Sequence, residues 1–294
     1  MFGYWKDKRG SMEMENDFLD RYQRQLSLSE VGIHGQRALR AARVMVVGLG
    51  GLGCPAVQYL AAAGIGGLVL VDADQVSLSN LHRQTLYGPQ LIGHSKAEAA
   101  AAWVKNYHPN THVSVLQSMF TMDNAQSIFD NALPIDHSTS GVGIAVEGSQ
   151  TNLDLILDCT DNFAARYAIN DACAKAGIPW VYASIAKFEG QVSVFNVPYN
   201  YREIQGSRET NIVSRSLNYR DVFPHPPAEG EVQNCAESGV LGALAGIVGS
   251  LQAMEALKFI LKTEGLLIDQ LLTYNALTHR LVKFDLPRNS EAKL

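Results

Sequence analysis

The chain is poor in cysteine and has no excess of positive charge, and both shortages exclude classes of protein. Its four cysteines, Cys54, Cys159, Cys173 and Cys235, stand far apart and form no C-x-x-C pair. This spacing argues against a disulfide scaffold and a four-thiolate zinc site, and it suits a reducing cytoplasm. With 24 basic against 29 acidic residues and a formal net charge of −5, the chain lacks the cationic field that holds nucleic acid non-specifically.

The sequence also lacks the features of a secreted or membrane protein. Its first residues are charged and contain no apolar core, so they do not form a signal peptide, and we expect residues 1–19 to be a flexible arm. One long apolar run covers residues 240–260, but Gln252, Glu255 and Lys258 recur at every third position of its second half. This polar stripe predicts a helix that is buried in protein rather than in lipid.

The remaining pattern is an alternation of strands and helices in a chain of 294 residues, 47% hydrophobic, which is enough to bury a sizeable core. Short apolar runs predict buried strands over residues 43–47, 67–72, 113–116, 153–158 and 180–183. Helical periodicity predicts helices over residues 20–28, 35–42, 55–63, 95–106 and 162–176. The alternation favours an α/β fold with a doubly wound, Rossmann-like mixed sheet in a single large domain.

After residue 190 the pattern becomes antiparallel. Strands predicted over residues 191–195, 272–274 and 281–285 form a C-terminal extension of the sheet. Between them, residues 198–234 are polar and aperiodic, and such a long stretch inside a domain is usually functional or disordered. We therefore divide the chain into the 1–19 arm, a domain over 20–288 that contains the 198–234 crossover, and a 289–294 tail.

A glycine-rich loop lies between the first predicted strand and the helix that follows it. Gly48, Gly50 and Gly53 satisfy G-x-G-x-x-G, and Asp72 ends the next strand. Glycines let the backbone approach a phosphate, the helix N-terminus attracts negative charge, and the acid can bond ribose hydroxyls. By itself this motif favours a nicotinamide-dependent dehydrogenase.

Basic residues beyond Asp72 change that interpretation. Asn80 and Arg83 follow the strand end, and Lys96 opens the next helix. A dinucleotide pyrophosphate carries about two negative charges, whereas a nucleoside triphosphate carries about four and calls for added cations and a metal. The two cations suit a triphosphate. The alternative is that Arg83 and Lys96 are solvated surface charges.

A second group of acidic residues follows another predicted strand, at the edge of the sheet where open α/β folds bind ligands. Asp161, in Asp158-Cys-Thr-Asp-Asn162, can hold Mg²⁺ over the leaving phosphates. It can also be the N-cap of the helix that begins at Asn162. The residues alone leave both roles open.

Five motifs occur in the order found in the ThiF/MoeB/HesA adenylyltransferases. They read Arg21-Tyr-Gln-Arg-Gln25, Gly48-Leu-Gly-Gly-Leu-Gly53, Asp72-x-Asp-x-Val-x-x-Ser-Asn-Leu-x-Arg-Gln84, Asp158-Cys-Thr-Asp-Asn162 and Gly249-Ser-Leu-Gln-Ala-Met-Glu255. Over residues 20–286 the chain therefore resembles this family, which is similar to ubiquitin-activating enzymes. The resemblance implies ATP-dependent adenylation of the C-terminal glycine of a ubiquitin-like sulfur-carrier protein, with release of pyrophosphate.

The resemblance also implies roles for individual residues. It gives the nucleotide-binding residues as Gly48, Gly50, Gly51, Gly53, Asp72, Asp74, Asn80, Arg83, Lys96 and Asp161. Asp72 would hold the ribose, Asp161 would bind Mg²⁺, and the side chains of Asn80, Arg83 and Lys96 would face the phosphates. Arg24 would reach across a two-fold interface as an arginine finger, which implies a homodimer.

The chain departs from the family at its metal clamp. The family's zinc is held by two C-x-x-C pairs, of which the first aligns with Asn218-Tyr-Arg-Asp221 and the second with residues 289–294, so both are absent. We therefore expect no structural zinc, and we expect the 198–234 crossover to be mobile before the carrier binds. Cys235 matches the position of a cysteine that handles sulfur in several members of the family. The alternative, which the sequence supports equally, is that Cys235 is a small residue packed in the core.

Taken together, the sequence predicts a cytoplasmic, homodimeric adenylyltransferase that uses ATP and Mg²⁺. Its partner would be a carrier ending in Gly-Gly that serves thiamine or molybdopterin biosynthesis, with sulfur supplied by a separate protein and with no nucleic acid or membrane partner. A nicotinamide- or flavin-dependent oxidoreductase is the first alternative. A catalytically weak nucleotide-binding scaffold is the second.

Overall fold

The strands of the molecule form one mixed sheet, seen in a computed structural model that describes residues 17–132, 153–198, 201, 215–227 and 239–287. Its strands are β1 (Arg43–Val47), β2 (Gly67–Val71), β3 (His112–Leu116), β4 (Leu155–Asp158), β5 (Trp180–Ala186), β6 (Glu189–Phe195), β7 (Gln270–Asn275) and β8 (Arg280–Asp285). Within the described residues the spatial order is β3-β2-β1-β4-β5-β6-β7-β8.

The strand order reverses at β1, which lies between β2 and β4. Val46 of β1 pairs in parallel with Leu70 of β2 on one side and with Leu157 of β4 on the other. The five neighbouring strands β3, β2, β1, β4 and β5 are all parallel, whereas β6, β7 and β8 are antiparallel to their neighbours. The predicted doubly wound sheet with an antiparallel C-terminal extension is confirmed.

Helices cover both faces of the sheet. They are α1 (residues 17–26), α2 (Gly32–Ala41), α3 (Gly53–Ala63), α4 (Lys96–Tyr107), α5 (Ala125–Asp130), α6 (Phe163–Ala176), α7 (Tyr219–Val222) and α8 (Gly242–Leu261). Alternate side chains of β1 enter two separate cores, Val46 facing α3 and α8 and Met45 facing α5 and α6. This burial on both faces explains why the parallel strands are apolar throughout.

Helix α8 is buried in protein, as its polar stripe predicts. Its length and composition alone would allow it to cross a membrane, but it packs against α2, α3, β5 and β6. Gln252 is fully buried, and its Nε2 donates to the carbonyl oxygens of Asp158 at 2.6 Å and Val181 at 3.1 Å. Glu255 accepts from the backbone N–H of Leu267 at 3.0 Å and pairs with Lys258. The stripe therefore joins α8 to β4 and β5 through Gln252 and to the segment before β7 through Glu255.

Part of the 198–234 crossover is described, and residues 215–227 pack on α6. Where the first C-x-x-C pair would align, Asn218 and Asp221 form a capping box at α7. Arg220 makes a two-bond ion pair with Asp171 at 2.6 and 2.7 Å. The buried ring of Tyr219 packs among aromatic side chains that include Trp180. The mobility that we expect for the other residues of the crossover stays a prediction.

We predict that Gly249→Ala lowers the free energy of unfolding by about 1–3 kcal/mol or more, because overpacking a close contact is destabilising. A methyl group at Gly249 would overlap the carbonyl oxygen of Leu52, at the start of α3. The measurement is urea unfolding followed by circular dichroism.

The matched control is Gly246→Ala on the same helix, where an added methyl meets no described atom within 4 Å. Alanine has the higher helix propensity, so this variant should be as stable as the unmodified protein or up to about 1 kcal/mol more stable. Equal effects of the two substitutions would show that the contact with Leu52 does not constrain α8.

Candidate nucleotide-binding site

A cavity of about 510 Å³ opens at the carboxyl ends of the parallel strands, next to the reversal between β1 and β4. Ligands bind at this point in open α/β sheets. Its lining includes nine of the residues proposed from the sequence, namely Gly48, Gly50, Gly51, Asp72, Asp74, Asn80, Arg83, Lys96 and Asp161. Residues from four separate stretches of the chain therefore meet in one concave site.

The glycine loop is shaped by close contacts between backbones. Gly48 has a φ of 89°, which favours glycine, and a methyl group there would overlap the carbonyl of Cys159. A methyl group at Gly53 would overlap the carbonyl oxygen of Gly48. Gly53 does not line the cavity and instead lets α3 begin directly against the loop, which brings the positive end of the α3 dipole to the site.

Asp72 joins the loop to the strand beside it. Its Oδ2 accepts from the backbone N–H of Leu49 at 2.6 Å, and its Oδ1 accepts from that of Asp74 at 2.7 Å. Burial raises the pKa of Asp72, against the opposing effect of these two N–H donors and of Lys96. Each oxygen retains acceptor capacity, so the carboxylate is fixed in place and can still accept from hydroxyl groups of a ligand.

Lys96 is held inside the site. It is 5% exposed, and its Nζ lies 2.8 Å from Oδ2 of Asp74, whose side chain is 67% exposed. The interpretation of Lys96 as a solvated surface charge is therefore wrong. An ion pair with one partner in water is weak, so an anion of higher charge can replace Asp74 as the partner of Lys96.

Arg83 is partly buried at the rim of the same cavity. Its Nη1 donates to the carbonyl oxygen of Ser79 at 3.1 Å and lies 2.8 Å from Nε2 of His82. A methyl group at Gly51 would lie 3.6 Å from Cδ of Arg83, so the stem of the arginine runs beside the glycine loop.

Asp161 stands free on the loop after β4. Helix α6 begins at Phe163, and its cap is Asn162, whose Oδ1 accepts from the backbone N–H of Ala165 at 2.8 Å. The interpretation of Asp161 as the N-cap is therefore wrong. Its side chain is exposed and lines the cavity, and no hydrogen bond to it occurs within the described part of the chain.

A buried ion pair under this loop was not predicted from the sequence. Asp158, which is fully buried, accepts from Nε of Arg166 at 3.0 Å and from the hydroxyl of Thr160 at 2.6 Å. Arg166 also donates to the carbonyl oxygen of Thr160 at 3.3 Å. The sequence does contain a signal for this pair, because a carboxylate buried at the end of a strand requires a cation as its partner, and Arg166 lies on the following helix.

Arg24, like Gly53, does not line the cavity. Arg24 is exposed on α1, and the neighbouring Gln25 donates to the carbonyl oxygen of Ala63, at the end of α3 remote from the glycine loop. The fold therefore does not bring Arg24 to the site of its own chain. Cys235 lies outside the described residues.

Comparisons with known proteins agree with this geometry. The ThiF family model matches residues 22–294. The chain is 39% identical to the sulfur carrier protein adenylyltransferase of Thermus thermophilus over 278 residues, covering 95% of this chain and 91% of that protein. It is 40% identical to the adenylyltransferase and sulfurtransferase MOCS3 of Drosophila grimshawi over 270 residues, which are 92% of this chain but 52% of MOCS3. The chain thus spans about half the length of that relative.

The fold is also similar to a solved structure. The crystal structure of E. coli MccB with MccA-N7isoASN superposes with a TM-score of 0.70 at 17% sequence identity, covering 93% of this chain and 73% of MccB. At that identity the similarity concerns the fold alone. It supports the mixed α/β sheet as the common architecture.

We predict that Arg166→Met lowers the free energy of unfolding by about 3–5 kcal/mol, because it leaves the carboxylate of Asp158 buried without its cation. Urea unfolding measures the loss. In the double variant Asp158→Asn/Arg166→Met the buried charge is gone, so part of the stability should return. A double variant less stable than Arg166→Met would contradict this account of the pair.

Proposed function

The chain belongs to the ThiF family, and from that premise we propose that it adenylates the C-terminal glycine of a ubiquitin-like sulfur-carrier protein. ATP is the second substrate and pyrophosphate is released. The observation that carries the proposal is the placement around a glycine loop of two cations, Lys96 and Arg83, and of the carboxylate of Asp161, which no described residue engages. This combination suits a nucleoside triphosphate better than a dinucleotide, which needs little beyond a helix N-terminus.

The reaction is a substitution at phosphorus. The C-terminal carboxylate of the carrier attacks the α-phosphorus of ATP, the bond to the pyrophosphate breaks, and a mixed anhydride of the carrier with AMP remains. A carboxylate is already deprotonated at neutral pH, so no general base is needed. The work of the protein is then to position the two substrates and to stabilise the charge that moves onto the pyrophosphate.

Each side chain of the cavity has a proposed part in this reaction. The loop with Gly48, Gly50 and Gly51 lies along the nucleotide, and the fixed carboxylate of Asp72 accepts from the ribose hydroxyls. Asn80, Arg83 and Lys96 bind the phosphates. Before ATP binds, Asp74 keeps the ammonium group of Lys96 in the cavity, and a phosphate then competes for the same donor.

Asp161 fits a Mg²⁺ ion. Magnesium is commonly bound through one or two protein carboxylates, with phosphate oxygens and waters as its other ligands. The carboxylate of Asp161 is exposed, lines the cavity and is not engaged by any described residue. The ion, when bound, neutralises charge on the leaving phosphates.

The proposal includes a homodimer, because Arg24 is remote from the cavity of its own chain. A two-fold interface that places Arg24 of one protomer at the site of the other would supply a third cation. Isologous dimers make such reciprocal contacts twice. Asp161 and Arg24 of one site would then come from different protomers.

We further propose that the protein works in the cytoplasm, for thiamine or molybdopterin biosynthesis, and receives sulfur through a separate donor protein. The adenylate activates the glycine for attack by sulfur, and Cys235 is the candidate thiol of this chain. Structural zinc is not part of the proposal, since the sequence contains neither C-x-x-C pair.

Exchange of labelled pyrophosphate into ATP tests the reaction. We predict exchange that depends on a recombinant ubiquitin-like carrier ending in Gly-Gly, and we predict that Arg83→Ala lowers it by a factor of about 100 or more, as for other groups that stabilise transition-state charge. Arg37→Ala, which removes an exposed arginine outside the cavity, should have no effect.

Two outcomes would contradict this proposal. Unchanged exchange in Arg83→Ala would remove the arginine from the mechanism. Tight NADH binding without any exchange would favour the oxidoreductase, whereas ATP binding without exchange would favour a scaffold.

Mixing two inactive variants tests the shared site. Arg24→Ala and Asp161→Ala should each be inactive as homodimers. After subunit exchange, each mixed dimer contains one intact site, so random mixing should restore about one quarter of the unmodified exchange rate. A mixture no more active than its parents would show that Arg24 does not act across the interface.

A further inference from the structure

The guanidinium group of Arg83 is anchored through one of its three nitrogens. Nη1 carries two N–H bonds, one directed to the carbonyl oxygen of Ser79 and the other to Nε2 of His82. Nε and Nη2 have no partner among the residues that the structure describes. Three of the five donors of Arg83 are therefore available to a ligand in the cavity.

The contact with His82 determines where the proton of the imidazole lies. A guanidinium group has donors only, so at 2.8 Å from Nη1 the Nε2 atom of His82 must be the acceptor. The ring is then neutral and carries its proton on Nδ1. In this form the imidazole orients Arg83 without adding charge beside it.

The backbone around this pair is fixed, so the side-chain contacts decide the direction of the guanidinium group. The backbone N–H of Arg83 donates to the carbonyl oxygen of Asn80 at 3.0 Å. Helix α8 begins against the same turn, since a methyl group at Gly242 would overlap the carbonyl oxygen of His82. A long side chain on a rigid turn still has several rotamers, and the acceptors of His82 and Ser79 select one.

We propose that His82 is a positioning residue for the adenylation reaction, which accepts a hydrogen bond from Arg83 and keeps the free donors of that arginine directed at the triphosphate. The inference rests on the proposed function. It concerns the residue at the position written x in the Asn80-Leu-x-Arg-Gln84 motif. The physical basis of the proposal is that a donor held in place beforehand does not have to be reoriented as charge develops. This preorganisation is the source of its effect on the reaction rate.

The charged groups that share the cavity with His82 are Arg83, Lys96, Asp72, Asp74 and Asp161, and Arg83 is the one in contact with the ring. A side chain that offers an acceptor at the same place can therefore replace the imidazole, whereas a side chain without an acceptor cannot.

Pyrophosphate exchange with Mg-ATP and a recombinant carrier ending in Gly-Gly tests the positioning role. His82→Ala should lower kcat roughly tenfold by loss of one hydrogen bond to a charged group. His82→Gln supplies an amide oxygen that accepts in place of Nε2, so it should restore most of kcat. His34→Ala, at an exposed position of α2, should behave as the unmodified protein does.

Other results would overturn the proposal. If His82→Ala exchanges at the unmodified rate, or if His82→Gln is as slow as His82→Ala, His82 does not position Arg83. Absence of exchange in the unmodified protein would refute the proposed function and with it a role of His82 in adenylation, whereas the position of the imidazole proton tests the contact with Arg83 by itself.

The proton is located by ¹⁵N NMR of the histidine rings in the unmodified protein, with the His82 signals assigned by their loss in His82→Gln. We expect His82 to be protonated at Nδ1, and we expect Arg83→Met to move it toward the Nε2-protonated form. A ring that carries its proton on Nε2 in the unmodified protein would exclude acceptance from Arg83 and so overturn the proposal without reference to activity.

Discussion

The site depends on the close approach of backbones where the sheet reverses direction. Gly48 lies against Cys159, Gly53 against Gly48, and Gly249 against Leu52. In this way the loop after β1, the loop after β4 and the start of α3 share a space that any side chain would fill. Because no Cβ separates them, the peptide dipoles of the loop and the helix end face one cavity. The polar side chains around the cavity take their positions from this packing.

The cations of the cavity are held by acceptors that orient them and leave them available. Lys96 is buried but pairs with an exposed aspartate, Asp74, whose attraction is weakened by water. Arg83 is held by the ring of His82 and by a carbonyl oxygen, neither of which carries a negative charge that would neutralise the guanidinium group. By contrast, Asp158 and Arg166 are both buried and neutralise one another. The first arrangement suits ligand binding, whereas the second fixes the loop that carries Asp161.

The sequence was sufficient where local patterns decide the structure. Apolar runs located the parallel strands, and the three-residue spacing of Gln252, Glu255 and Lys258 showed that α8 is buried. It was insufficient where the path of a loop decides which side chains meet, as in the pair of Asp158, at the end of β4, with Arg166 on α6. The sequence left Asp161 open as the cap of α6 because aspartate and asparagine are about equally good caps, whereas the structure gives Asn162 as the cap. The proposed contact of Arg24 is with a second copy of the chain, and the sequence and fold of one chain do not show such a contact.

The described residues 215–227 of the crossover are attached to the rest of the domain by an ion pair and by apolar burial. The ion pair of Arg220 with Asp171 is partly exposed, and such pairs contribute little, about 0–1 kcal/mol. Burial of Tyr219 against Trp180 and Phe195 therefore carries most of the attachment, since apolar burial of a large side chain is worth about 1.5–3 kcal/mol.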